Sequence, residues 1–271
     1  MKVPGLNVIY QPDGKAFEYA ELGLNLYSSC SHGCLYCYNI RGDRNQGRYD
    51  EPAKGASLKN IEHDLRILQG AGDRRPVHIS FVGDPYDTGR IEIDKPVGIS
   101  AFLGDNSDDR YIRHVLKTFR KWEHPFQILT KGGMLASKDF DLYGPNDWFG
   151  VTLTFDNDAD SKQNEPGAAL PLDRIAALQR AHSLNIHTWV SMEPVIYPAQ
   201  TLNLIEMTHK FVDLFWVGKL NRKPEATWTP APEWPTIDWP KFRSDVEALL
   251  QKCGKQPGTG YRLKHQLIEA I

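Results

Sequence analysis

Hydrophobic positions along the chain switch repeatedly between a period of two residues and one near 3.6, the signatures of strand and helix. Leu22-Gly23-Leu24-Asn25-Leu26-Tyr27 sets leucines at every second position and reads as a first core strand. Ser57 predicts a helix cap, with Leu58, Ile61, Leu65 and Leu68 on one stripe of a helix reaching about Gln69. Pro76 to Val82 predicts a second strand, ending at Gly83-Asp84-Pro85-Tyr86. Ser107 predicts the cap of a second helix whose apolar face is Tyr111, Ile112, Val115, Leu116 and Phe119. Phe126 to Leu129 is a third strand, followed by Thr130-Lys131-Gly132-Gly133. Gly150 to Phe155 is a fourth, followed by an acidic loop with Asp156, Asp158 and Asp160. Pro171 suits a first helical turn and opens a helix through about Ser183, with Ile175, Ala176, Leu178 and Gln179 near its core side. Ile186 to Val190 is a fifth strand, ending at Ser191-Met192-Glu193-Pro194. A helix over 199–210 and a strand from Phe211 to Val217, ending at Gly218-Lys219-Leu220-Asn221, complete the series.

Strand, loop and helix thus recur about six times, which predicts an α/β fold of parallel strands with right-handed crossovers. Gly, Asp, Lys, Glu and Asn at the strand ends fit functional loops gathered on the C-terminal face of the sheet. A doubly wound sheet and a barrel both satisfy this pattern. Ahead of it, Phe17-Glu18-Tyr19-Ala20 reads as an edge strand or lead-in. Residues 39–56, polar and glycine-rich with Arg41, Arg44 and Arg48, read as a solvated loop or a lip over a site. From about residue 222 the texture changes, dividing the chain into a 1–221 unit and a 222–271 extension. Pro224, Pro230, Pro232, Pro235 and Pro240 alternate there with Trp228, Trp234 and Trp239. Such a strap would close a barrel flank, line an oligomer interface or stack bases. Phe242 to Cys253 predicts a helix with Val246, Leu249 and Leu250 inward, and Tyr261 to Ile271 another.

Composition narrows the function classes. A 271-residue chain that is 41% apolar and 24% charged has the makeup of a soluble globular protein with a large core. Lys plus Arg total 32 against 34 Asp plus Glu, a net charge of -2, so no general attraction to nucleic acid exists. A nucleic-acid partner has to be argued without help from charge. The absence of an apolar N-terminal run, and of any apolar stretch of about 18 residues, argues against export and membrane spanning. Three clustered cysteines and one distant one suit a reducing interior, so a cytoplasmic location is expected.

The clustered three carry the chemistry. Cys30-Ser31-His32-Gly33-Cys34-Leu35-Tyr36-Cys37 lets three thiolates converge from one loop, with Gly33 loosening the backbone between them. Thiolates hold zinc or iron–sulfur clusters. A filled zinc site would need a fourth ligand such as His32 or Cys253. Three thiolates on a [4Fe-4S] cluster leave one iron open, which reads as reactive rather than structural. Unrelated buried or redox cysteines are the remaining alternative.

The C-x3-C-x2-C spacing, with Tyr36 just before the last cysteine, resembles the cluster loop of the radical S-adenosylmethionine (SAM) superfamily. Asn25-Leu26-Tyr27 leading into Cys30 through Tyr38 is similar to the loop of its spore photoproduct lyase-like branch, also labelled DNA repair photolyase-related. The resemblance runs over roughly residues 10 to 220 and implies an incomplete (β/α)6 barrel of TIM type. It implies that Cys30, Cys34 and Cys37 hold a [4Fe-4S] cluster and that SAM chelates the open iron. The reduced cluster would cleave SAM to a 5'-deoxyadenosyl radical that abstracts hydrogen from substrate. A reductant such as flavodoxin or ferredoxin is the implied partner. A modified or damaged nucleobase is the leading substrate class, with a small molecule or peptide as alternatives.

The same resemblance nominates residues around the cofactors. Tyr36 adjoins the cluster, as do His32 and Tyr38. Asp84 stands in Gly83-Asp84-Pro85-Tyr86, which departs from the superfamily's glycine-glycine-glutamate but resembles the branch's Asp-Pro-Tyr. It would accept from the SAM ammonium group, or simply form a turn. Lys131 would steady the SAM carboxylate or a buried acid. Arg174 would grip that carboxylate with two prongs or pair with Glu165. Thr154, with Thr152, would reach the ribose. Glu193, where the branch often has proline, would read substrate or SAM, and Met192 would pack on adenine or in the core. Cys253 is either an inert thiol or a hydrogen-atom donor. The rival outside this class is a zinc-stabilised, non-catalytic binding protein. A second enzymatic rival uses the cluster for electron transfer or sulfur chemistry.

Overall fold

The computed structural model describes residues 3–39, 53–87, 110–220 and 233–269. Among them seven parallel strands, β1 (Leu22–Leu24), β2 (Val77–Ile79), β3 (Phe126–Thr130), β4 (Trp148–Thr152), β5 (His187–Met192), β6 (Leu214–Val217) and β7 (Tyr261–Leu263), are hydrogen-bonded in chain order. The sheet curls into an open partial barrel whose edges are β1 and β7. The helices are α1 (Leu58–Gly70), α2 (Tyr111–Lys121), α3 (Asp158–Asn164), α4 (Pro171–Ser183), α5 (Pro198–Thr208), α6 (Trp239–Lys252) and α7 (His265–Ile268). A 3-10 segment spans Gly133–Leu142.

Local chemistry explains the ends. The Ser57 hydroxyl accepts from the Asn60 amide, the Asn157 side chain from the Asp160 amide, and the Asp238 carboxylate from the Lys241 amide. Proline opens α4, α5 and α6 in the first turn, where its missing N–H leaves nothing unpaired.

Strand alternation gives the sheet two unlike faces. Leu24, Ile79, Ile128, Val151, Val190 and Val217 join Ile61, Leu65, Val115, Leu116, Leu178 and Leu204 of the helices in one buried core. The concave face instead carries Gly23, His78, Gln127, Gly150, Trp189, Ser191 and Trp216. Gly150 makes room there, because a Cβ would lie 2.3 Å from the Trp189 indole nitrogen. That nitrogen donates across the sheet to the Ile128 carbonyl at 3.0 Å.

Three expectations change, the first being that Gln179 is exposed rather than on the core side of α4. Tyr261–Leu263 is a strand, not the start of a helix, and only His265–Ile268 is helical after it. Without β7 the edge of β6 would be bare. Instead the Phe215 amide bonds the Gly260 carbonyl and the Lys264 amide bonds the Val217 carbonyl. Residues beyond 221 therefore supply a seventh strand to the sheet. The stretch after β4 is also not all loop, since Asn157 caps α3 directly. Ser107, Arg41, Arg44, Arg48, Asn221, Pro224, Trp228, Pro230 and Pro232 lie outside the described residues. No helix among the described residues is long and apolar enough to cross a membrane.

Candidate functional site

The cysteine loop leaves the C-terminal end of β1 and is pinned from both sides. The Asp87 carboxylate accepts from the Ser31 amide at 2.6 Å and from the Ser31 hydroxyl. Opposite, the Gly167 amide donates to the His32 carbonyl at 2.9 Å and the Leu35 amide to the Asn164 carbonyl at 2.8 Å. Gly33 takes a left-handed backbone, φ +61°, which glycine adopts without strain. At Gly167 space is the constraint, because a Cβ would sit 2.6 Å from the Ser31 carbonyl oxygen.

Asp84 braces this arrangement. One oxygen accepts from the Thr130 hydroxyl at 2.5 Å and the Tyr86 amide at 2.8 Å. The other accepts from the Lys131 amide at 2.7 Å and lies 3.6 Å from His32 Nδ1. A single buried carboxylate thus joins the ends of β2 and β3 to the cysteine loop. Burial lowers the His32 pKa against the pull of Asp84 and Asp87.

A second buried acid organises the other flank. Arg174 Nη2 donates to Glu165 Oε2 at 2.5 Å, while Nε and Nη1 donate to the Ala169 and Thr152 carbonyls at 2.6 and 3.0 Å. The Tyr36 hydroxyl donates to Glu165 Oε1 and lies 3.2 Å from Thr154 Oγ1. Burial alone would raise the Glu165 carboxyl, but the Arg174 and Lys131 charges outweigh it and hold it below the usual range. Burial likewise works against the Lys131 ammonium, and the charges of Cys34 and Glu165 reverse the direction. The Lys131 Nζ stands 5.4 Å from the centre of the Tyr36 ring. Tyr36, Lys131, Thr154, Glu165 and Arg174 therefore form one assembly beside Cys34.

Glu193 belongs to a separate group at the end of β5. Its Oε2 accepts from the Tyr19 hydroxyl at 2.6 Å and lies 3.4 Å from Lys264 Nζ. The Tyr38 hydroxyl donates to the Phe81 carbonyl. Burial and then the charges of Cys37, Tyr10, Glu193 and Cys30 all raise its pKa, so those groups lie within electrostatic reach. Met192 is buried in the core rather than facing the cysteines. Cys253 follows α6, donates its amide to the Leu249 carbonyl at 2.9 Å and packs half-buried against the core. Trp234 does approach the site, since its indole donates at 3.0 Å to Asn164, the residue whose carbonyl supports Leu35.

All four thiols are free. Among the described residues no three His, Cys, Asp or Glu side chains stand close enough to hold a single metal ion. Cluster thiolates bind different irons and need not crowd one point. Cys34 feels the charges of both Cys37 and Cys30. Burial pushes the Cys30 thiol up to about 12 and Cys34 well above its usual range. Bare thiols there keep their protons, and a soft metal centre bound to them would have to take the protons' place. The donor set fits an iron–sulfur group.

Asp87, Asn164 and Gly167 were not singled out from the sequence. Gly167 alone left a signal, as a glycine following Glu165-Pro166.

Two kinds of solved structure share the overall fold. Streptococcus suis SuiB bound to S-adenosylmethionine superposes with a TM-score of 0.62 at 15% identity, over 92% of this chain and 51% of SuiB. A spore photoproduct lyase mutant with bound AdoMet and dinucleoside spore photoproduct gives 0.64 at 12% identity, over 97% and 80%. The chain has the same open partial-barrel fold as these structures. SuiB bound to its precursor peptide SuiA shares that barrel, with a TM-score of 0.62 at 15% identity over 92% of this chain. The chain spans about half the length of SuiB (51%). No protein-family model and no curated protein sequence matches it.

Proposed function

We propose that the protein is a radical SAM enzyme. The observation that carries this reading is the three-thiol loop, pinned at the C-terminal end of β1 in a radical SAM partial barrel. Cys30, Cys34 and Cys37 would hold a [4Fe-4S] cluster, and that group, when bound, supplies the electron for reductive cleavage of SAM and hydrogen abstraction. This chain's residues bind, orient and exclude water around that chemistry. Asp84 and the Glu165–Arg174 pair fix the loops that face the cysteines. Tyr36, Lys131 and Thr154 offer a hydroxyl, an ammonium and a second hydroxyl toward SAM. Glu193 faces the substrate side. A flavodoxin or ferredoxin in the cytoplasm would be the reductant.

A modified or damaged nucleobase is the substrate class we favour. The concave face supports it, with the stacked His78 and Phe81 rings and the Trp189 and Trp216 indoles forming an aromatic wall beside the loop. The deciding experiment is anaerobic reconstitution with iron and sulfide, then incubation with SAM and dithionite. A brown protein that releases 5'-deoxyadenosine, and loses both properties in Cys30→Ala, Cys34→Ala and Cys37→Ala, is expected. A colourless protein with stoichiometric zinc and no 5'-deoxyadenosine would refute the reading.

A further inference from the structure

Residues 11–20 cross the gap between the two edge strands. On one side Tyr10 exchanges both backbone hydrogen bonds with Gly23 of β1, at 2.9 and 2.8 Å. On the other, just past β7, Lys264 Nζ donates to the Lys15 carbonyl at 2.9 Å and the His265 amide to the Glu18 carboxylate at 3.1 Å. Yet no residue from Asp13 to Ala20 is buried, and the one 3-10 turn there lacks a side-chain cap. Phe17 is 44% exposed. Apart from the Tyr19 ring, residues 13–20 have few buried apolar contacts to hold them, and such segments open at low cost.

What this strap inserts is Tyr19. Its ring centre lies 5.0 Å from that of Trp216, 5.7 Å from Trp189 and 6.3 Å from His78. Lys264 Nζ stands 3.5 Å from the ring centre. The hydroxyl donates to Glu193 and lies 2.7 Å from Ser191 Oγ. The receptacle is more buried than its occupant. Ser191, Trp189 and Lys264 are each 2% exposed and Trp216 is 6%, whereas Tyr19 as a whole residue keeps some exposure although burial desolvates its hydroxyl and raises its pKa. A buried Lys–Glu pair repays its desolvation poorly, so stability alone is a weak reason to place one here. Two indoles, a cation over the ring and a carboxylate with a hydroxyl at the ring edge make a complete recognition set for a planar donor.

We propose that Tyr19 is an internal placeholder on a displaceable strap. A substrate bearing a planar ring with an edge hydrogen-bond donor expels Tyr19, packs its ring against Trp189 and Trp216 beneath Lys264, and donates to Glu193. The chemistry that follows rests on the radical SAM reading, but the binding site does not. Tyr19→Ala empties the receptacle without touching its walls, and 4-methylphenol reproduces the missing side chain. In the full chain, tryptophan quenching is expected to show 4-methylphenol binding ~10-fold or more tighter to Tyr19→Ala than to wild type. Adding Glu193→Gln to that variant is expected to weaken binding again. Equal binding by wild type and variant, binding by neither, or loss of fold in Tyr19→Ala would each overturn the proposal. Hydrogen exchange gives a second reading in wild type and Tyr19→Phe. Amides of 13–20 are expected to exchange ~100-fold or more faster than those of β5, and faster again in Tyr19→Phe. Strap amides as protected as β5 would refute displacement. Neither readout uses iron or SAM, so failure of the 5'-deoxyadenosine assay and failure of this proposal are separable.

Discussion

The Glu165 carboxylate receives the Arg174 guanidinium at 2.5 Å on one oxygen and the Tyr36 hydroxyl on the other. Both charged groups are almost fully buried, at 1% exposure each. The pair ties the residue before Cys37 to the start of α4, so the cysteine loop depends on a partner far along the chain.

Removing one member leaves the other charge stranded. Arg174→Ala is expected to lose ~3–5 kcal/mol in urea unfolding. The double variant Glu165→Gln/Arg174→Met should lose less than Arg174→Ala alone, because neither half of the pair is left charged without the other. A double variant as unstable as the single would show that the cost comes from packing.

Gly167→Ala separates loop position from global stability. The added Cβ would meet the Ser31 carbonyl oxygen at 2.6 Å and His32 Cα at 2.9 Å, so the cysteine loop has to move. Iron bound after anaerobic reconstitution should fall several-fold while circular dichroism stays close to wild type. Full iron content in this variant would show that the loop tolerates the shift.

Asp84→Asn preserves shape and removes an acceptor. The new NH2 group would face either the Tyr86 N–H or the Lys131 N–H, both of which now donate to the carboxylate. A donor against a donor costs ~1–3 kcal/mol. Thermal unfolding of the apo protein checks this, and an unchanged midpoint would remove Asp84 as the brace.

His78 sets an acid limit. Burial, with Lys264 adding to it, depresses its pKa to about 3, against an unfolded value of ~6.5. The unfolded chain therefore binds the extra proton first. Stability from this group is full above ~6.5 and declines as pH falls toward about 3. Between pH 7 and pH 4.5 the loss is about 3 kcal/mol. His78→Gln should be less acid-sensitive by that amount when denaturation midpoints are compared at the two pH values. Equal sensitivity would mean that other groups set the limit.

Several features were legible in the chain because they are written in neighbouring residues. Leucines alternating from Leu22, the stripe from Leu58 to Leu68 and Pro171 at a helix start are local, and their elements formed within a few residues of the expected ends. The C-x3-C-x2-C spacing and Asp84-Pro85-Tyr86 were likewise readable as local motifs, and the structure brings Asp84 within 3.6 Å of His32. Tyr261–Leu263 was not, because three residues carry too little periodicity to separate strand from helix, and the bare edge of β6 decided the matter.

The sequence by itself determined the α/β alternation and a thiol-rich loop after the first strand, since both depend on spacing over a few residues. Only the tertiary structure decided which side chains meet: Glu165 with Tyr36, Asp84 with Thr130, and Tyr19 with Glu193 and Lys264. Such pairs join segments whose separation along the chain is unrelated to their distance in space. The curl of the sheet sets that distance, and no local pattern records it.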